Sequence, residues 1–227
     1  MEFLPFLRYS LQELPFVIIT LLIAFTIHEF AHAFVAYKFG DSTAKDQGRL
    51  TLSPLAHLDP IGTIALFILG FGWAKPVPVN RFFFKNPRLA GISVSLAGPF
   101  SNLILALIGF IVWYSLAPLG ILSSVSLNVV ESIHLFFETF ISINIALFVF
   151  NLLPFPPLDG YRVVEDLAPS GVRAKLTQYE QYGSIIFLIL VITPLDQYTI
   201  TPIFITAIPF VAELLSEVTA LILNLGS

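Results

Sequence analysis

The sequence contains no cysteine. Disulfide bridges and thiolate metal ligands are therefore excluded, and any bound metal has to be held by His, Asp or Glu. Charge is scarce as well: Asp, Glu, Lys and Arg make up 11% of the 227 residues, and the net charge is −4. That balance gives no support to nucleic-acid binding. In their place stand apolar residues, 56% of the chain with 23 Phe, for a mean hydropathy of +0.87. An ordinary soluble domain carries about twice this share of charge. The chain reads as a polytopic membrane protein with a single membrane-embedded domain over residues 1–227.

Long apolar runs set the expected spans. The first dozen residues read as an interfacial lead-in. A signal peptide cut near Ala31-His32-Ala33 would have a weak basic region, only Arg8, and would discard His28. Span one is Leu14–Lys38, long enough at about 1.5 Å per residue to cross a core of about 30 Å. Residues 40–60 are polar and rich in turn formers, which predicts a loop with short strands. Residues 61–72 are apolar but too short to cross, and the Pro-interrupted stretch after them implies a re-entrant segment returning to its starting side. Span two covers 89–114, with Gly98-Pro99 expected to bend it and Ser95, Ser101 and Asn102 to make interhelix contacts. Span three covers 132–153, and the prolines after it break the helix before Asp159. Apolar runs near 182–192 and 202–225 predict one or two further spans, with C-terminal helices over about 180–225.

Basic residues set the orientation. Lys38, Lys45, Arg49, Lys75, Arg81, Lys85, Arg88, Arg162, Arg173 and Lys175 all fall after span one, around 73–88, or after span three, and only Arg8 lies elsewhere. The positive-inside rule then puts those segments in the cytoplasm and the N-terminus outside.

Inside span one lies H-E-x-x-H, made by His28, Glu29 and His32. Two imidazoles four residues apart share one helical face and can grip one metal, with the Glu beside them as a base. Ionisable groups at membrane depth are costly and usually functional. A catalytic zinc takes three protein ligands and leaves a position for water. Asp159 is the favoured third ligand, because it follows a broken helix and precedes Gly160. His57, Asp59, Glu131, His134 and Glu138 are the other candidates; His57 and Asp59 read as turn groups, and the last three as a wetted helix end.

HEFAH on a transmembrane helix, GWAKPVPVN, SLAGPFSN and FNLLPFPPLDG, in this order over about 16–162, resemble the site-2 protease family of intramembrane zinc metalloproteases. The similarity is to the compact bacterial and archaeal type, without a PDZ or nucleotide-binding domain. It implies an all-α multi-pass fold with a three-helix catalytic core, here about 14–162, accompanied by short strands, loops and re-entrant segments. It also implies one Zn²⁺ per chain on His28, His32 and Asp159, Glu29 as the base that activates water, and Asn151 helping to organise the site. The implied substrate is a membrane-spanning or membrane-tethered protein, cut in or near the bilayer and commonly after a first cut by a site-1-type protease.

A helical substrate hides its peptide bonds in hydrogen bonds and must unwind to be cut. An exposed edge over 73–80, kept extended by Pro76 and Pro78, would hold it through Trp73, Lys75, Val77, Val79 and Asn80; a structural loop at the interface is the alternative. Lys75 suits lipid headgroups or an acidic substrate. Asn102 reads as interhelix glue, and Asn151 either as glue or as an oxyanion donor. The competing classes are a metal transporter, with ligands spread along a pathway, and a catalytically inactive membrane scaffold.

Overall fold

A computed structural model describes residue 10, residues 12–62 and residues 72–223. Most of the expected N-terminal lead-in and of the re-entrant stretch 61–72 lies outside the described residues. The described chain is helical: α1 (Leu14–Lys38), α2 (Thr43–Asp46), α3 (Pro54–His57), a 3₁₀ turn Arg81–Phe83, α4 (Pro87–Leu116), α5 (Leu127–Asn151), α6 (Asp159–Leu167), α7 (Ser170–Ile192), α8 (Asp196–Thr199) and α9 (Thr201–Ile222).

Among the described residues, four helices are long and apolar enough to cross a membrane: α1, α4, α5 and α9. Their boundaries follow local chemistry. Pro15 sits in the first turn of α1, where its missing N–H is not needed. At the other end Gly40 takes φ +105°, and the N–H groups of Gly40 and Asp41 bond back to Tyr37 and Ala36. This glycine-terminated closure stops the helix. Asn86 caps α4 by accepting from the N–H of Leu89 at 3.3 Å, with Pro87 at the first helical position. The α4 helix then continues through Pro99 as one element. After α5, Pro154, Pro156 and Pro157 prevent continuation, and α6 starts at Asp159.

Contacts fix the directions. His28 meets Asn102 while His32 meets Val94, so α1 and α4 are antiparallel. Asn102 also meets Asn144, and Trp113 packs near Phe137, which makes α5 antiparallel to α4. Phe204 lies against Phe150 at one end of α9, and Ser216 lies 3.3 Å from the Tyr114 hydroxyl at the other. Helix α9 therefore starts at the end where α5 finishes. Among the described residues α9 is the one C-terminal helix long and apolar enough for a span, where one or two were expected; α7 carries Arg173, Lys175 and Glu180 in its first half, and its Phe187 packs on Leu153 and Leu158 at the site end.

Small residues allow close helix approach: Ala36 and Ala90 are fully buried between α1 and α4 beside Val94 and Phe84. Farther along, Ala106, Ile141, Ile145, Val149 and Leu215 fill the space between α4, α5 and α9. The outward faces carry exposed Ile19, Ile104, Ile108 and Leu214, which suits a lipid surround.

The expected strands do not form. Among the described residues the only β feature is an isolated antiparallel bridge between Leu58 and Ala74, and parts of 40–60 are single helical turns. The reason lies in the partners of 75–80. Arg49 donates to the carbonyls of Lys75 and Pro76 at 2.6 and 3.3 Å, and Asn80 donates its backbone N–H to Asp41 at 2.6 Å. Side chains satisfy this extended backbone where a neighbouring strand otherwise would.

Candidate metal centre

Antiparallel packing of α1 on α4 determines how the two imidazoles face. The Nδ1 of His28 lies 2.7 Å from the Asn102 side-chain oxygen, and the Nδ1 of His32 lies 2.7 Å from the Val94 carbonyl. Both partners are acceptors, so each Nδ1 carries the hydrogen and each Nε2 presents a lone pair. The amide orientation of Asn102 is set in turn, because its Nδ2 donates to Asn144 Oδ1 at 3.1 Å and to the Ala24 carbonyl at 3.4 Å.

Those two Nε2 atoms stand 3.0 Å apart. Asp159 Oδ2 lies 3.1 Å from the first and 3.3 Å from the second and is a buried oxygen with no hydrogen-bond partner. Three acceptor atoms thus converge without a donor, which is stable only around positive charge. A tetrahedral ion with bonds of about 2.0–2.2 Å spaces its ligand atoms by about 3.3 Å, so spacing and donor chemistry both fit zinc. Among the described residues this is the one such three-donor group.

Gly98 makes room for it. A Cβ at this position would stand 2.4 Å from His32 Nε2 and 2.5 Å from His28 Nε2. The glycine read from sequence as a bend is required by this close approach.

A cavity of about 830 Å³ opens on the group. His28, Glu29, His32 and Asp159 line it, with Asn151, Trp73, Val77, Val79, Phe25, Leu147, Phe150 and Phe187. Glu29 Oε2 accepts the backbone N–H of Val77 at 2.8 Å. Asn151 turns its amide back to the Leu147 carbonyl at 2.9 Å. Lys75 and Asn80 are not among the lining residues. The backbone N–H of Lys75 goes to the His57 carbonyl at 2.8 Å, and Asn80 caps the 3₁₀ turn by accepting from Phe82 at 3.1 Å.

The remaining ligand candidates lie apart. His57 is buried with Nε2 2.8 Å from the Thr51 carbonyl, and Asp59 accepts from the Gly62 N–H at 2.7 Å in a turn. His134 and Glu138, exposed and 3.7 Å apart, sit on the first half of α5 with Glu131, at the end away from the cavity. Sequence reasoning missed three contributors: the Asn102 contact to His28, the Arg49 hold on 75–76, and the notch at Gly98. A usable signal existed, because Gly98 and Asn102 repeat the four-residue spacing of the histidines on the span that faces them.

The chain matches the profile of Peptidase family M50 over residues 16–139 and 116–193. It is 57% identical over 197 residues to YwhC of Bacillus subtilis strain 168, a protein named as a zinc metalloprotease; the match covers 87% of this chain and 89% of that protein. It is 34% identical over 191 residues to Rip2 of Mycolicibacterium smegmatis and 35% identical over 180 residues to Rip2 of Mycobacterium tuberculosis strain H37Rv, both also named as zinc metalloproteases. Each of these two matches covers 76% of this chain and 65% of the relative. No solved structure matches the chain.

Proposed function

The chain belongs to peptidase family M50 and is a multi-pass membrane zinc metalloprotease, and on that premise we propose that it cuts its substrates within the membrane. Those substrates are membrane-spanning or membrane-tethered proteins, hydrolysed at the cytoplasmic side of the plasma membrane, with a site-1-type protease as an upstream partner. One observation carries the reading: Glu29 and the three converging acceptors of His28, His32 and Asp159 share a single cavity, and His28 is ten residues, about 15 Å of helix, from the Lys38 end of a spanning helix. The positive-inside bias supports the cytoplasmic side.

His28 Nε2, His32 Nε2 and Asp159 Oδ2 would hold the zinc. When bound there, zinc supplies Lewis acidity toward the scissile carbonyl and lowers the pKa of water. Glu29 keeps Oε2 on the Val77 N–H and uses Oε1 to take the water proton and return it to the leaving amine. The cavity-lining part of 73–80, with Trp73, Val77 and Val79, receives the unwound substrate, and Asn151 borders the same space. Lys75 and Asn80 contribute by fixing that segment through their backbone groups.

The test is Glu29→Gln in reconstituted vesicles with single-span test substrates. Cleavage should fall by about 10²–10⁴-fold with zinc content unchanged, and cut sites should map to the cytoplasmic half of the substrate span. Unchanged cleavage, or cuts confined to soluble regions far from the bilayer, would overturn the proposal.

A further inference from the structure

We propose that Asp166 is a positioning residue for the metal centre: paired with Arg81 in a notch at Gly91, it sets the register of α6 on α4 and so delivers Asp159 to the two histidines. The inference rests on the zinc reading above. It begins with a matched spacing. Asp159 and Asp166 are seven residues apart on α6, and Gly98 and Gly91 are seven residues apart on α4. Seven residues are close to two full turns, so each pair lies on one helical face.

The two faces meet in rungs. Asp159 stands at the imidazoles that crowd Gly98, while Asp166 stands at Gly91, where a Cβ would come within 2.2 Å of its Oδ2 and 3.4 Å of the Arg81 guanidinium carbon. The Asp166 side chain has no solvent exposure. Its Oδ1 takes Arg81 Nη1, and Arg173 Nη2 at 2.9 Å. A fully buried carboxylate held this way resists displacement, because moving it strands a charge.

Helix α6 needs such an anchor. It has nine residues and no side-chain cap at its start, and a helix of two and a half turns has little stability of its own. Its other side-chain ties, Arg162 to Glu180, Glu165 to Thr177 and Tyr161 to the Leu176 carbonyl, all run to α7. Glu165 also feels the charge of Arg81, but Asp166 is the one of these that makes a direct ion pair with the Arg81 turn that leads into α4. Arg81 also lines the cavity and follows directly on 73–80, so one ion pair joins the placement of Asp159 to the segment that borders the substrate space.

Zinc affinity, measured by chelator competition on the detergent-purified full chain, tests this. Thermal midpoints are recorded with chelator present. Asp166→Asn and Gly91→Ala should each weaken zinc binding about tenfold or more, while Glu180→Gln, which loosens α6 only from α7, should change it less than about twofold. Gly91→Ala leaves every charge in place and decides the matter if Asp166→Asn fails to fold. Parental affinity in the folded variants, or an equal loss in Glu180→Gln, would overturn the proposal. Asp159→Ala is the control: if it retains the parental zinc, the three-ligand reading itself has failed, and the positioning role falls with it.

Discussion

His28 donates its Nδ1 hydrogen to the Asn102 side-chain oxygen at 2.7 Å, and Asn102 is itself fixed by Asn144 at 3.1 Å. A ring held at one nitrogen presents the other in a fixed direction, which raises the affinity of a metal site. Asn102→Leu should lower zinc affinity by about 10–100-fold, read by chelator competition. Asn102→Asp keeps an acceptor for Nδ1 and should recover most of it. Equal loss in both variants would reduce Asn102 to an interhelix contact.

Gly98 offers a test in which the usual sign is reversed. Replacing a helical glycine by alanine normally stabilises by about 0.5–1 kcal/mol. Here the added methyl would sit within 2.6 Å of both imidazole rings, so Gly98→Ala should lose most of its zinc. Gly171→Ala is the comparison, since a Cβ there meets nothing within 4 Å; it should keep full metal content and the parental thermal midpoint or slightly better.

Acid should loosen the junction of α6 and α7. Burial works against ionisation of Glu165, but the Thr177 hydroxyl and the Arg162 guanidinium hold its carboxyl below the ordinary value of 4.5. A carboxyl with a lowered folded pKa binds fewer protons than in the unfolded chain. Its contribution is present above pH 4.5 and is lost as pH falls below it. The thermal midpoint of the metal-free protein should drop by a few degrees over that range, and Glu165→Gln should flatten the dependence while lowering the midpoint at neutral pH.

Sequence made the membrane class and the first three spans legible, because hydropathy and four-residue spacing are local properties. Even there the third span begins at Leu127, not near 132, since Asn128, Glu131 and Ser132 are tolerated at a wet helix end. The tail was harder. Residues 182–192 are apolar, and composition does not say that Phe187 packs on Leu153 and Leu158 at the site end. The strand expected at 73–80 failed for a similar reason: beyond the bridge at Ala74 and the Lys75 N–H bond to the His57 carbonyl, its backbone is held by the side chains of Glu29, Asp41 and Arg49, which lie 26 to 48 residues away in sequence. As for the candidate site, H-E-x-x-H announces itself through spacing. Which oxygen orients which ring depends on the packing of α1 on α4 and has no local signature.

Pro99 has an effect beyond its place in α4. Lacking an N–H, it leaves the carbonyl of Ser95 without its ordinary helical donor, and Ser95 lines the cavity beside the histidines. A carbonyl released from its helix ladder is an acceptor that water can use, and Glu29, Asn151 and Asp159 line the same cavity. Hydrolysis consumes one water per bond broken. A gap in one helix ladder thus adds an acceptor for water beside the carboxylate that is to activate it.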